Sequence, residues 1–270
     1  METPSDSSAT EMDAYGAHAD NMMWEPTEKV HQWASSRVLT AFTLRSGVLP
    51  SESSLLEVGT GSGRIARSAI DQGWNRYVGI EPTHVFADAA RAVDPMITVL
   101  EVSLPDLPNE LSESFDAVVS MNVMEHAASP EVAMKWVLAM AKCLRPGGSL
   151  LVAAPDVRDF RWTFWDVDWT HGWPTTPQRI ADLLEGVGLE LTTVKTMRLG
   201  SLSAWSAVGF IVSRLLPTRF LDSVTRRLIG RPLATGAQIG LLWGLSFVIA
   251  KKPGGDDRSH HDAESATDVA

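Results

Sequence analysis

The stretch that most constrains the fold is Leu55-Leu56-Glu57-Val58-Gly59-Thr60-Gly61-Ser62-Gly63-Arg64-Ile65-Ala66. A short apolar run enters three glycines at alternate positions and leaves into a helical pattern. That is the layout of a strand, a tight turn and a helix N-terminus. Glycine has no Cβ, so such a turn takes unusual dihedrals and lets backbone approach a ligand closely. The first amides of the helix then face whatever sits over the turn. A dinucleotide fingerprint would need a glycine at position 64, and the chain has Arg64. A NAD-dependent oxidoreductase is disfavoured on that ground.

The rest of the chain alternates strand and helix signals. Helical spacing runs from Pro26 to about Leu44, through Val30, Trp33, Ala34, Val38, Ala41 and Phe42. Beyond the glycine turn, Ile65 to Gln72 reads as a helix. Arg76 to Ile80 reads as a strand ending at Glu81-Pro82, where an acid in a doubly wound sheet meets a ribose. A helix from Val85 to Val93 and a strand from Ile97 to Val102 follow, then Phe115 onward as a fourth strand and Pro130 to Leu144 as a helix.

The acid two residues before Gly59-Thr60-Gly61-Ser62-Gly63 resembles motif I of the class I S-adenosylmethionine (SAM) dependent methyltransferases. Phe115-Asp116, followed by Glu125-His126, resembles the fourth strand and loop of that family, and Leu144-Arg145-Pro146-Gly147-Gly148 resembles its turn into strand five. The resemblance covers residues 55 to 153. It implies a Rossmann-like α/β doubly wound sheet of seven strands in order 3-2-1-4-5-7-6, with strand 7 antiparallel. It also implies SAM as cofactor, with Glu57 beside the amino group and Gly59, Thr60, Gly61 and Gly63 cradling the methionine end. Glu81 and Pro82 fall at the ribose, Ser103 and Leu104 at the adenine, and Asn122 and Val123 on the loop over the cofactor. Members commonly carry Asp where Ser103 stands. Related ubiquinone-pathway enzymes carry Glu-x-x-Glu-His for metal; Asn122 replaces the first acid here, so no metal is expected, with a partial site through Glu125, His126 and distant acids as the alternative.

Past strand five, four of the chain's ten tryptophans fall between 162 and 173, with two acids and a histidine among them. Aromatic walls with a few polar groups describe a binding pocket. Asp168 to Leu184 resembles an Asp-x-Thr-His element of methyltransferases in sugar, lipid and natural-product pathways. His171 is the candidate general base, since imidazole titrates near neutrality, and Asp168 is its candidate partner. The alternative is a histidine that merely braces the loop.

Strand six is expected from Leu189 to Lys195 and strand seven from Ser246 to Ala250, with a helical insertion over 198–243 between them. Residues 198 to 231 hold six arginines and one acid, which fits either a lid or peripheral docking at a membrane. The expected organisation is a flexible segment over 1–25, a methyltransferase domain over 26–253, and a disordered tail over 254–270. The net charge of −10 argues against a nucleic-acid partner. One cysteine excludes an intramolecular disulfide, and no signal peptide is apparent, so a cytoplasmic protein is expected. The expected reaction is methyl transfer to an oxygen or nitrogen of a small-molecule, sugar or lipid-linked acceptor. The rival is a SAM-binding regulatory or scaffold protein without turnover.

Overall fold

The computed structural model describes residues 25–166, 168–198, 218–229 and 244–254. Seven strands form one sheet in the order β3-β2-β1-β4-β5-β7-β6. They are β1 (Ser54–Val58), β2 (Arg76–Ile80), β3 (Thr98–Leu100), β4 (Phe115–Met121), β5 (Leu144–Pro155), β6 (Glu190–Arg198) and β7 (Gly244–Lys251). The first five run parallel, and β7 is antiparallel to both β5 and β6. The expected topology is therefore the observed one.

Helices cover both faces, so the central strands are buried on both sides and read as continuous apolar runs. Successive residues still divide between two cores. Leu56, Val118, Leu150 and Val248 face α4 (Pro130–Cys143) and α7 (Pro177–Gly186), meeting Val137, Met140, Ile180 and Leu184. Leu55, Ala117, Leu151 and Phe247 face the other way, toward Val38, Leu39, Phe42, Ile65 and Ala87. Those belong to α1 (Glu25–Ser46), α2 (Arg64–Asp71) and α3 (His84–Arg91). Cys143 is buried in the first core, and burial pushes its thiol up to about 11, as suits a small packing residue.

Arg64, the residue that breaks the dinucleotide fingerprint, opens α2 and pairs with Glu28 on α1 at 2.6 Å. Gln32 donates to the Arg64 carbonyl at 3.0 Å, so α1 is fastened directly onto the helix that follows the glycine turn. Thr176 caps α7 by accepting from the Arg179 amide, as its position before Pro177 predicts. Two short helices, α5 (Val157–Phe160) and α6 (Thr163–Asp166), occupy the tryptophan-rich stretch. The second insertion helix is α8 (Thr218–Ile229). The expected first one, around Leu202 to Leu216, lies outside the described residues, as do the segments 1–24 and 255–270. No helix among the described residues is long and apolar enough to cross a membrane.

The amino ends of the central strands are joined through Asp116. Its carboxylate accepts from the Ser54 amide at 2.8 Å, from the Ser54 hydroxyl at 2.7 Å and from Arg145 at 2.9 Å. One side chain on β4 thus pins both β1 and β5. Asp116→Ala should cost about 1–3 kcal/mol in chemical denaturation, because two donors on β1 lose a charged acceptor. An unchanged denaturation midpoint would show that the pin is dispensable.

Candidate functional site

The glycine turn sits at the carboxyl end of β1, where ligands bind in open parallel sheets. The Gly59 and Thr60 amides both donate to the Ile80 carbonyl, at 2.8 and 3.0 Å, which folds the turn back over β2. Gly59, Gly61 and Gly63 all have positive φ. A Cβ on Gly59 would stand 2.2 Å from Val123 Cγ2, so the loop after β4 closes on one side of the turn. At Gly61 nothing lies within 4 Å of where a Cβ would be. The turn is sealed against Val123 and open at its crest, a cradle that fits the methionine end of SAM.

Glu81 is buried at the end of β2, and its carboxylate accepts from the Gly61 amide at 2.9 Å and the Thr83 amide at 3.0 Å. Burial raises its pKa, and these two donors offset part of the rise. The oxygen that accepts from Gly61 keeps a further lone pair for a hydroxyl. Glu57 is almost wholly buried beneath the turn, and the Tyr77 hydroxyl donates to it. Burial holds Glu57 well above the usual carboxylate range, with the nearby Glu81 adding to the effect. Tyr77 was legible in sequence only as a strand residue. Pro82 follows Glu81 at the strand end. Ser103 and Leu104 lie just past β3, which neighbours β2, with Ser103 exposed and Leu104 half-buried. Asn122 takes a left-handed conformation (φ 57°) as the chain leaves β4, a conformation asparagine tolerates.

The polar cluster lies on that same loop. Glu125 and His126 form a short turn whose Glu125 carbonyl accepts from the Gly172 and Trp173 amides, at 2.9 and 3.0 Å. This brings His171 against His126, ring centroids 5.1 Å apart. Sequence spacing does not reveal that juxtaposition. Asp168 is not the orienting partner of His171. Its carboxylate accepts from the Thr170 amide and hydroxyl, at 2.9 and 2.6 Å, and the Thr170 oxygen meets His126 Nδ1 at 2.7 Å. His171 Nδ1 is held instead by the Phe164 carbonyl. Of the two roles expected of Asp168, orienting or charge-stabilising His171, its hydrogen bonds do not supply the first because it is turned back onto its own loop, while its charge still acts on the ring.

The donors fix the tautomers. A carbonyl only accepts, so His171 Nδ1 carries the proton and Nε2 presents a lone pair. Thr170 gives its hydroxyl proton to Asp168, so His126 Nδ1 donates to Thr170. Burial lowers both imidazoles, His126 to about 4, and keeps them neutral. Glu125 is pushed up to about 8 by burial, with the Asp168 charge adding to the rise, and its Oε2 has no hydrogen-bond partner. Glu125, His126 and His171 each offer a ligand atom, all within 4.8 Å of one another, a donor set compatible with a divalent cation.

Comparison with known proteins assigns the fold and cofactor. A family model described as a methyltransferase domain matches residues 29–194. The chain belongs to that family. This methyltransferase uses SAM. A chain of the Haloferax volcanii complex between the Trm112 methyltransferase activator and its candidate methyltransferase superposes with a TM-score of 0.64. The identity is 19%, covering 90% of this methyltransferase and 98% of that chain. The Burkholderia thailandensis 1,6-didemethyltoxoflavin-N1-methyltransferase, solved with S-adenosylhomocysteine bound, superposes with a TM-score of 0.57 at 14% identity, covering 94% and 92%.

Among curated proteins, the tRNA U34 carboxymethyltransferase of Azotobacter vinelandii is 35% identical over 131 residues, 47% of this chain and 38% of that one. Its Pseudomonas fluorescens counterpart is 31% identical over 145 residues, 52% and 41%. The chain spans about two-fifths of the length of the curated relatives it matches. These relatives overturn two expectations: the small-molecule, sugar or lipid-linked acceptor, and the absence of a nucleic-acid partner. The charge expectation averaged over the whole chain, whereas residues 198 to 231 alone hold six arginines and one acid.

Glu125 yields a stability prediction with a definite sign. Its folded pKa, about 8, exceeds the ordinary 4.5, so the native state holds this proton more tightly than the unfolded chain. The stability it contributes is full below the unfolded value and is lost as pH rises toward the folded one. Glu125→Gln should therefore flatten the fall in thermal stability between about pH 5 and about pH 8. A variant whose melting temperature follows pH as the wild type does would refute the buried, protonated carboxyl.

Proposed function

We propose that this methyltransferase transfers the methyl group of SAM to a base of RNA, with tRNA the acceptor suggested by the relatives' names. The observation that carries the chemistry is His171: buried, neutral, and held by the Phe164 carbonyl with its Nε2 lone pair available. Bound SAM supplies an electrophilic methyl carbon on a positively charged sulfur. When bound it would give up that methyl to the acceptor's lone pair, with the sulfur–carbon electron pair left on sulfur. His171 Nε2 takes the acceptor's proton. Glu57 and the glycine turn hold the methionine end, Glu81 and Pro82 the ribose, Ser103 and Leu104 the adenine, and Asn122 and Val123 the loop above.

Labelled SAM incubated with bulk tRNA, followed by nucleoside digestion and mass spectrometry, tests the acceptor and distinguishes methyl from carboxymethyl products. Label confined to other cellular material would sink the RNA reading. Glu81→Ala should weaken S-adenosylhomocysteine binding in calorimetry by about 1–3 kcal/mol, since ribose hydroxyls lose a charged acceptor. His171→Ala should lower turnover by about 10²–10⁴-fold with cofactor affinity kept. Because His171 is shifted below its ordinary 6.5, the wild-type rate should rise with pH through an ionisation below that value and then level. The variant should lack that rise. A variant with intact turnover, or with the pH profile preserved, would reduce His171 to a brace for its loop.

A second reading, peripheral contact with anionic membrane through residues 198–231, is favoured by α8. Phe220, Val224 and Leu228 recur every fourth residue and are all exposed, near the exposed Arg226 and Arg227. Such a face suits the bilayer interface. Anionic vesicles should capture the protein at low salt and release it as salt rises, and replacing Arg226 and Arg227 with Glu should reduce capture. Absence of capture at every salt concentration would dismiss the contact.

A further inference from the structure

The Glu125 side chain is buried, and its Oε2 has no hydrogen-bond partner. A buried carboxyl oxygen left unpaired is costly, so its presence calls for a ligand that satisfies it. The groups beside it are two imidazoles. One ligand atom from each of Glu125, His126 and His171 lies within 4.8 Å of the other two. Both rings are held in the same way. His171 Nδ1 donates to the Phe164 carbonyl, and His126 Nδ1 to the Thr170 oxygen, whose own proton goes to Asp168. Each neutral ring therefore keeps Nε2 unprotonated. Metal-ligating histidines are oriented in this manner, by a hydrogen bond from the nitrogen that does not bind.

We propose that Glu125, His126 and His171 form a site for a divalent transition-metal cation of the zinc class. Two imidazoles and a carboxylate are the donor set of tetrahedral zinc with one position open. Magnesium and calcium take oxygen ligands and suit this trio poorly. Atoms bound to zinc at about 2.0–2.1 Å stand roughly 3.3 Å from one another, so the donors, now within 4.8 Å, close by at most about 1.5 Å. Backbone already brings the two loops together, since the Glu125 carbonyl accepts from the Gly172 and Trp173 amides. A second trio among the described residues, His84, Asp88 and Glu101, is exposed, and Arg91 pairs with both of its acids.

The cation and the acceptor's proton compete for one lone pair. His171 Nε2 either binds the metal or takes the proton, so zinc switches the base off. This consequence rests on the role of His171 proposed above, whereas the site itself does not.

Cobalt(II) reports such a site through its visible ligand-field absorption. The full chain, free of any affinity tag, is titrated with cobalt chloride in a His260→Ala, His261→Ala background, which removes an adjacent pair of imidazoles. Intense bands of low-coordinate cobalt should appear, saturate with a single ion per chain, yield to zinc and resist excess magnesium. Glu125→Gln removes a ligand and Thr170→Val the partner of His126. Each should weaken cobalt binding by about 10–100-fold, with S-adenosylhomocysteine affinity unchanged as the control for folding. Absence of bands in the parent chain, or bands unaltered in both variants, would overturn the site. In methylation assays zinc should abolish turnover and a chelator should restore it. Zinc that binds without slowing turnover would refute the competition, and His171 as the base with it. A chain that modifies no RNA even with chelator present would sink the proposed acceptor alone, because the cobalt bands decide the site without substrate.

Discussion

The site depends on how the exit of β1 is tied to the exit of β2. The Ile80 carbonyl accepts two amides of the glycine turn, and the Glu81 carboxylate accepts a third at Gly61. An anionic group at this position does two things at once. It satisfies backbone donors that would otherwise be buried without partners, and it points the remaining lone pairs outward. The turn and the Glu81 carboxylate are thus one mechanical unit, and Arg64 with Glu28 extends it to α1. The three glycines supply the dihedrals, but Ile80 and Glu81 hold them in place.

Most of the fold was legible because its signals are local. Strand β2 falls where its residues predict, and Thr176 caps α7 as its place before Pro177 implies. Strand β3 is shorter than the run Ile97 to Val102 because it is an edge strand, pairing with β2 over Thr98 to Leu100 alone. On the apolar stripe of α1, Ala34, Val38, Ala41 and Phe42 are buried, Val30 is half-buried, and Trp33 lies exposed beneath Arg37. The polar cluster was not legible, and the reason is geometric. His126 and His171 are far apart in sequence and meet because two amides past His171 bind the Glu125 carbonyl. Backbone bonding between loops leaves no composition signal. Tyr77 against Glu57 was hidden similarly, since a fully buried strand has no alternation to show which face a residue takes.

The charge argument shows what a mean conceals. A polyanionic partner responds to the local field within about a Debye length, roughly 8–10 Å, and not to the sum over the chain. Acidic surface elsewhere steers such a partner toward the basic segment as much as it repels it.

The paired imidazoles matter to the proposed transfer because they cannot both be charged. His171 is among the influences that depress His126, so a proton on one disfavours a proton on the other. A proton accepted by His171 therefore arrives beside a neutral His126, whose Nδ1–H is already committed to Thr170. The compensating charge comes from Asp168, which acts through space on both rings while its hydrogen bonds go to Thr170. Glu125, kept protonated by burial, adds no second negative charge that would hold the proton too tightly. The cluster is thus tuned to carry one positive charge, briefly, next to one fixed negative charge. In the proposed transfer, such a balance would let His171 accept a proton from the acceptor and release it again before the next turnover.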